Sequence, residues 1–450
     1  MSAIVDFPVK PAARAYVDAF GRGDRGGEAP DWLARQRRRS LARFAELGWP
    51  SRRSEAWRYL DLHALEETPM LPPGGAQAVA GAAARAQLTE LGLAEARHRI
   101  VLVDGRFAPQ LSVVDGLPAG VWFGSMATAI TERPELVRPA LEASGLQTPS
   151  FDADRPFAVL NTAFFTDGFI LDLGPGIALD RPVEVVHLAA DAAAGSSLHT
   201  RSLVAMGADS RASLLETFAG RGRYWRNDVV ELRLAAGADL TRVVLVEEAA
   251  EAVHLGEALA TLGPASQLAG FTLLLGGRTV RHEVTLRIEG ERTCSALHGA
   301  FLLSGRQEAN IVTSVDHAAP GGETREVFNG VAAGRAHGAF QGRITVRPGA
   351  QKVDAHQLSR NLVLGPRAAI DTKPELEIFA DDVKCSHGAA VGDLDESVLF
   401  YLRSRGIPPE EARRILIEAF VREAVELVAV PSLRERLLVR LARRLALLEE

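Results

Sequence analysis

Cysteine is scarce in this chain of 450 residues, in which Cys294 and Cys385 are the only two. Two thiols so far apart cannot build a disulfide framework or, by themselves, a closed cysteine-rich zinc site. They fit a reducing compartment in which a thiol is kept for packing or for reactivity. The sequence also lacks a run of about 18 apolar residues and a basic N-terminal segment followed by an apolar one. We therefore expect a soluble, unexported protein with a cytoplasmic address.

Lysine is also rare, because it occurs only at positions 10, 352, 373 and 384 and arginine supplies the other basic residues. Together with abundant alanine, this bias is typical of a GC-rich bacterial genome. The net charge of −6 and the pI of about 6.1 do not favour nucleic acid or an anionic membrane as the main partner. A content of 47% hydrophobic and 24% charged residues predicts a globular chain, and its length favours two or three domains.

Nucleotide-binding and nucleophile motifs are missing as well. Residues 21–26 read GRGDRG and match the glycine spacing of a dinucleotide loop, but they follow a predicted helix, so no strand-helix cradle surrounds them. The chain has no phosphate-binding P-loop and no serine-nucleophile elbow. We therefore predict no ATPase of the P-loop class, so that any energy from ATP must come through a partner.

The secondary-structure patterns divide the chain into three regions. Residues 1–150 are predicted to be mixed and largely helical, with a helix over 33–47 that ends at Gly48, a linker or loop over 69–84 and a strand over 99–105. Residues 151–390 are predicted to form a β core, because from about residue 157 the sequence pattern is that of short strands and no longer that of long helices. Residues 391–450 return to helices.

The β core is predicted to be a parallel β-helix. Short runs of β-branched or alternating apolar residues are separated by turns centred near Gly207, Gly237, Gly263 and Gly290. These turns recur roughly every 26 to 30 residues, a period that is typical of stacked β units. The repeat is degenerate, and a sandwich or a propeller remains an alternative for short strands of this kind.

The C-terminal region carries clear helix boundaries. Asp395 is a suitable N-cap for a helix over 397–405, Gly406 ends it, and Pro409 opens a longer helix to about residue 430. A last helix is predicted over 433–450. The apolar positions cover a wide stripe, so that one face can pack on the β core while another binds a partner.

Two groups of residues are weak candidates for a metal site. Cys294 and His298 lie four positions apart, which places them on one face of a strand, but a buried thiol beside a chance histidine is the more common arrangement. The second group has regular spacing along the chain, although isolated histidines are more often packed or solvated than shared by a metal. It comprises His317, His337, His356, Asp316 and Asp354.

A stronger candidate is Cys385-Ser386-His387, because residues i and i+2 of a strand project to the same face and here carry a thiol and an imidazole. Both groups bind iron, zinc and iron-sulfur clusters. Lys384 is expected to favour the thiolate, while Asp381 and Asp382 oppose this. The alternative is a buried cysteine beside a surface histidine. Two ligands are too few for a stable cluster, so others must come from another chain.

Several segments resemble the SufB/SufD family. Residues 371–389, DTKPELEIFADDVKCSHGA, and residues 399–407, LFYLRSRGI, are similar to its C-terminal signature without a gap. Residues 53–59, RSEAWRY, resemble the N-terminal element of SufD-type members, and residues 160–164, LNTAF, resemble the entry to the family's β core. Relatives of the SufB type carry an acidic His-Glu element where this chain has Cys385 and His387, so the resemblance is to the SufD type.

This resemblance implies a right-handed parallel β-helix flanked by helical regions, in a complex that assembles iron-sulfur clusters. It implies a scaffold subunit rather than an enzyme, which pairs with SufB through the β-helix and binds the ATPase SufC by its C-terminal helices. The sequence leaves open whether the isolated chain forms a homodimer. It places Cys385 and His387 as ligands of iron or of a nascent cluster shared with SufB. A reduced flavin has been associated with such complexes, but the sequence contains no flavin motif.

Two other interpretations remain open from the residues alone. A carbohydrate-active β-helix enzyme would need carboxylates clustered on one face of its coils, and such enzymes are usually exported. A purely structural partner subunit, in which Cys385 only packs, is compatible with the composition and the fold. Measuring the metal content separates this last interpretation from cluster assembly.

Overall fold

The computed structural model describes residues 11–22, 29–73, 81–93, 98–143, 155–190 and 195–447. The helices are α1 Pro11–Arg22, α2 Asp31–Leu47, α3 His63–Glu67, α4 Gly81–Glu90, α5 Met126–Glu132, α6 Pro134–Ala143, α7 Pro156–Phe164, α8 Glu396–Ser404, α9 Pro409–Val425 and α10 Pro431–Ala446. The strands are β1 Arg99–Val103, β2 Arg106–Phe107, β3 Val121–Ser125, β4 Phe169–Leu173, β5 Val183–Ala189, β6 Ser197–Met206, β7 Arg211–Gly220, β8 Trp225–Leu234, β9 Asp239–Glu247, β10 Val253–Leu262, β11 Gln267–Leu274, β12 Thr279–Ile288, β13 Cys294–Leu303, β14 Glu308–His317, β15 Glu323–Ala333, β16 His337–Val346, β17 Asp354–Leu364, β18 Ala369–Ile378 and β19 Lys384–Gly392.

The strands alternate between two sheets as the chain winds, which confirms the predicted parallel β-helix and excludes the sandwich and the propeller. Sheet A has the order β19-β17-β15-β13-β11-β9-β7-β5-β1-β2, and sheet B has the order β18-β16-β14-β12-β10-β8-β6-β4-β3. From β4 onward each strand pairs in parallel with the strand two places further along the chain. Successive coils therefore stack in register.

The turns between sheet B and sheet A stack as well as the strands. The N–H of Gly237 donates to the carbonyl of Pro264 at 2.9 Å, and the N–H of Ala265 donates to that of Glu291 at 2.8 Å. The same ladder ends where Lys352 donates to Asp382 at 2.7 Å. The recurring turns seen in the sequence are therefore the corners of the coils.

Apolar side chains fill the space enclosed by the two sheets, which we call the lumen. Val230, Leu232 and Leu234 of β8 face it at alternate positions, as do Val244 and Val246 of β9. This alternation assigns each residue of a strand to the lumen or to the outside.

Helix α7 packs on the outer face of sheet B, where its apolar side chains share a buried cluster with Trp225 of β8 and Leu255 of β10. We predicted strands from about residue 157, which is wrong for residues 156–164. All nine residues of α7 are buried, so its sequence has no polar face and no helical periodicity to detect. The Nδ2 group of Asn161 donates to the carbonyls of Thr200 at 2.8 Å and Asn227 at 2.9 Å, which ties α7 to β6 and β8.

The predicted ends of the first C-terminal helix agree with the structure. The Asp395 carboxylate accepts from the N–H groups of Ser397 at 2.8 Å and Val398 at 3.4 Å, and Gly406 has a φ of 88°, so both ends of α8 are as predicted. Residues 81–84 of the predicted linker lie in α4, while 74–80 fall outside the described residues. The predicted boundary at residue 150 and the tail 448–450 also fall outside them.

Helices α8 to α10 cover the outer face of sheet A. Leu437 and Leu441 of α10 share a buried cluster with Val243, Leu245 and Phe271 of that sheet. Burying apolar side chains from both sides makes this interface part of the folded core. Among the described helices, none is long and apolar enough to cross a membrane.

Candidate functional site

The second end of the β-helix is open. Strand β19 is the last strand of sheet A and β18 is the last strand of sheet B, and each pairs on one side only. Phe379 is 60% exposed and Val391 is 48% exposed there, whereas strands of the preceding coils are mostly buried. We call the free edges of β18 and β19 the open end.

Backbone groups at the open end point away from the β-helix. Lys384 donates its N–H to Val353 on the β17 side at 2.8 Å. Because residues of a parallel strand alternate in the direction of their N–H and C=O groups, those of Cys385, His387 and Ala389 face the free edge. The same alternation in β18, where Ala369 donates to Ala336, turns the nitrogen of Pro374 outward. Proline is tolerated at that edge because its missing N–H is not needed there.

Cys385 and His387 lie on the same side of β19, as predicted, and that side faces the lumen. Cys385 packs against the lumen core and pairs in register with the fully buried Ala355. His387, two residues on, pairs with Gln357 and is exposed at the mouth of the lumen. The thiol and the imidazole thus lie together at the end of the β-helix interior.

The thiol does not have the electrostatic setting that the sequence suggested. Burial raises the pKa of the Cys385 thiol and the Asp354 carboxylate raises it further, while the N–H of Ala355 acts in the opposite direction. Lys384 lies on the outer side of the strand, because neighbouring residues alternate between faces. The expectation that Lys384 favours the thiolate is therefore wrong for the isolated chain.

Two buried polar residues that sequence reasoning missed lie behind His387. Register places Glu326, Gln357 and His387 side by side on three successive strands of sheet A, all on the lumen side. The Nε2 group of Gln357 donates to the Glu326 carboxylate, and both residues are at least 98% buried. Gln357 Oε1 is buried and accepts no hydrogen bond from any described residue. Further inside the lumen, the His387 imidazole is therefore followed by the Gln357 amide and then by the Glu326 carboxylate.

The outer face of the same strands carries a separate polar group. His356 Nδ1 lies 2.5 Å from the Ser386 hydroxyl, and its Nε2 lies 2.9 Å from Asp354. Arg325 also bonds Asp354 at 2.8 Å. This arrangement is a surface hydrogen-bond network, and the strand itself separates it from Cys385 and His387.

The weaker candidates from the sequence do not form one site. Cys294 is exposed at the start of β13, while His298 uses its Nδ1 to accept the N–H of Val327 at 3.1 Å, and burial lowers its pKa to about 4. His317 and His337 lie at opposite ends of the paired strands β14 and β16, roughly 30 Å apart at 3.3 Å per residue. Across the described part of the chain, no three His, Cys, Asp or Glu side chains are placed to hold a metal ion.

The N-terminal segment 53–59 reaches the open end across the outer face of sheet B. The carbonyl of Ala56 accepts from Arg281 at 2.9 Å, and the Arg281 guanidinium lies 4.2 Å from the Trp57 ring centroid. Glu55 forms an ion pair with Lys373 at 2.5 Å, and Lys373 belongs to β18. Two segments far apart in sequence, 53–59 and 371–389, therefore meet in the fold.

A parallel β-helix with a thiol and an imidazole at an unpaired end, and a helical layer beside it, defines the class of this protein. Comparison with known proteins agrees with this class. Residues 188–420 match the family model described as "SUF system FeS cluster assembly, SufBD core domain", and residues 16–185 match "SufBD protein N-terminal region". The chain therefore belongs to the SufBD family of iron-sulfur cluster assembly proteins.

Individual relatives support the same assignment over most of the chain. An iron-sulfur cluster assembly SufBD family protein of Synechocystis is 28% identical over 90% of this chain and 89% of its own length. The iron-sulfur cluster assembly protein SufD of Escherichia coli is 27% identical over 91% of this chain and 92% of its own. The chloroplastic protein ABCI7 of Arabidopsis thaliana is 29% identical over 88% and 82%. Membership of this family excludes the alternative that the chain is a carbohydrate-active β-helix enzyme.

The buried Glu326 carboxyl makes the stability of the fold depend on pH. Burial raises its pKa from 4.5 to about 7, an effect that the hydrogen bond from Gln357 only partly offsets. The folded state therefore holds this proton between about pH 4.5 and 7 while the unfolded state has released it, so stability falls as pH rises through that window. We expect Glu326→Gln to remove this loss and to raise stability on the order of 1 to 3 kcal/mol above pH 7.

Chemical denaturation at pH 5 and pH 8 measures this effect. The free energies of unfolding of the wild type and of Glu326→Gln should differ more at pH 8 than at pH 5. A constant difference between them at both pH values would contradict a raised pKa at Glu326. Glu323→Gln, at the exposed start of the same strand, is the control that removes a carboxylate outside the lumen.

Proposed function

We propose that this chain is the SufD-type subunit of a SufBCD complex, in which it is a scaffold that pairs with SufB and binds the ATPase SufC. The observation that carries the proposal is the placement of Cys385 and His387 at an open β-helix end whose backbone groups also face outward. The similarity to SufD of Escherichia coli over nearly its whole length supports it.

Iron or a nascent iron-sulfur cluster is the cargo of the proposed site. Cys385 and His387 supply a soft sulfur and an imidazole nitrogen, both suitable ligands for iron. Two ligands from this chain leave the remaining coordination positions of the iron to a partner chain and to incoming sulfide. Because the pKa of the Cys385 thiol is raised in the isolated chain, metal arrival and loss of the thiol proton are expected to occur together.

Pairing with SufB is proposed to occur along the open end. Unpaired parallel strands offer hydrogen-bond donors and acceptors to another chain. Exposed apolar side chains such as Phe379 and Val391 would be removed from water when a partner binds there. A partner β-strand at this edge would place its own side chains beside the mouth of the lumen. The site would then be completed by residues from both chains, and a second copy could occupy the same edge when SufB is absent.

Binding of SufC is proposed to use the exposed face of α8. Phe400 is 71% exposed and Tyr401 is 55% exposed, which is unusual for aromatic side chains in the absence of a partner. Because α8 to α10 cover the outer face of sheet A, deleting them would expose that face. Substitutions on the surface of α8 are therefore a cleaner test than truncation.

The helical layer also provides a route from the ATPase to the site. Arg360 of β17 forms an ion pair with Glu423 of α9 at 2.8 Å, and Asn329 of β15 donates to the carbonyl of Phe420 at 2.8 Å. Strand β17 is the direct neighbour of β19. If SufC binds one position of these helices more tightly in its ATP state, that difference in affinity can shift the edge strand and open the site.

The ligand role of the thiol and the imidazole is tested in the complex co-purified without oxygen. We expect the double variant Cys385→Ala, His387→Ala to lower iron and sulfide per complex at least about tenfold, because both ligands from this chain are lost. Cys294→Ala, which removes the exposed thiol on β13, is the control and should keep the wild-type content. Wild-type iron and sulfide in the double variant would refute the ligand role and leave Cys385 as a packing residue.

Pairing along β19 is tested by moving a proline one position. Ala389→Pro removes an N–H that faces the free edge, so we expect weaker pairing with SufB and an unchanged melting temperature. Ala390→Pro removes an N–H that faces β17, so we expect a lower melting temperature. Size-exclusion chromatography with SufB and thermal unfolding measure the two effects. Normal pairing by a folded Ala389→Pro variant would exclude this edge as the interface.

The face of α8 is tested with Phe400→Ala, Tyr401→Ala. Because both side chains are exposed, we expect a folded chain whose affinity for SufC falls by about 2 kcal/mol or more, roughly thirtyfold. Val439→Ala, at a site 53% exposed on α10, is the control for a general loss of apolar surface. Equal affinity of wild type and double variant in a titration with SufC would rule this face out.

A further inference from the structure

A cleft of about 700 Å³ lies between α10 and the corners of the β-helix that follow β9, β11 and β13. Its volume is in the range of small-molecule sites. Its walls are mainly charged and glycine residues, and none of its described lining residues is aromatic. It is separate from the open end, because it lies beside the middle coils rather than the last one.

The carboxylates of this cleft are mostly neutralised by other arginines. Glu247 bonds Arg440, and Glu90 bonds Arg221. Glu248 is buried against Arg226 at 2.6 Å. These pairs leave Glu251 as the carboxylate of the described lining without an ion pair.

Four arginines of the described lining form no ion pair in this cleft. Arg278 and Arg306 project from two successive corners of the β-helix, and Arg443 and Arg444 project from α10. Against Glu251 alone, these four guanidinium groups give the cleft a positive excess in a chain whose net charge is −6. Such a concentration of positive charge in a concave site attracts anions.

Two of the guanidinium groups are also incompletely hydrogen-bonded. Arg444 Nη2 donates to Ser304 Oγ at 2.8 Å and to Gln307 Oε1 at 2.6 Å, while its buried Nε has no partner among the described residues. Arg278 Nη1 is likewise buried without a partner. Burial lowers the pKa of Arg444, and Glu247 offsets this only in part. Buried donors without acceptors are costly, and a bound anion would remove that cost.

We propose that this cleft binds a small phosphate-bearing anion through Arg278, Arg306, Arg443 and Arg444. Guanidinium groups match phosphate oxygens in pairs of parallel hydrogen bonds, and four of them suit a ligand with more than one negative charge. The absence of aromatic side chains from the described lining indicates recognition of charge rather than stacking on a ring. Because the arginines come from both α10 and the β-helix, the bound anion joins the helical layer to the body.

The test is a calorimetric titration of the full-length chain with inorganic pyrophosphate, AMP and ATP in magnesium-free buffer. We expect pyrophosphate and ATP to bind, and we expect added salt to weaken the binding of both. Arg306→Gln and Arg443→Gln, at exposed positions on opposite walls, should each weaken pyrophosphate about tenfold. Arg335→Gln is the matched control, because Arg335 occupies the next corner beyond Arg306 and does not line the cleft.

The outcomes separate this proposal from cluster assembly, since no iron or partner enters the titration. A wild-type chain that fails to bind millimolar pyrophosphate would overturn it. Equal weakening by Arg335→Gln and Arg306→Gln would show diffuse attraction to the surface instead of a site. Binding of ATP without binding of pyrophosphate would show recognition of the nucleoside, which contradicts recognition by charge.

Discussion

The parallel in-register stacking of coils is the constraint on which the rest of this molecule depends. Each coil obtains its backbone partners from the coil before it and the coil after it, so the stack has no end of its own. At the first end, the antiparallel strands β2 and β3 end the two ladders, and Phe107, Val114 and Leu117 pack against the lumen core. At the second end nothing in the described chain does so, and the candidate ligands lie there. The candidate site and the unpaired edge are thus two aspects of the same geometry.

The lumen holds buried polar groups along much of this stack. Near the first end it holds a buried ionic group in which Arg226 and His254 contact Glu248, and despite its burial these partners lower the pKa of Glu248 to about 2. In the middle coils Arg242 pairs with the buried Glu216, and the buried His282 lies near Arg242 among apolar side chains. Near the open end the lumen holds Glu326 and Gln357 behind His387. Buried polar groups of this kind are costly unless they are paired, which favours a functional reason for keeping them beside the mouth.

Much of this fold could be predicted from local signals. The turn residues gave the period of the coils, Asp395 and Gly406 gave the ends of α8, and alternation placed Cys385 and His387 on one side of a strand. Helix α7 could not be predicted, because a helix that is buried all round has no periodic pattern. Glu326 and Gln357 were missed because only the register between coils brings them beside His387. Corners of unequal length hide that register from the sequence.

Pro374 has a consequence for the solubility of the molecule. A β-helix with an exposed last coil is a template on which further coils, or other copies of the chain, can add end to end into a fibre. Proline at the outward position of β18 leaves one step of the backbone ladder unfilled, and the neighbouring Glu375 and Glu377 place charge beside it. The edge therefore favours a partner shaped to meet this gap over indiscriminate growth. The edge that is proposed to bind SufB is in this way protected from end-to-end growth.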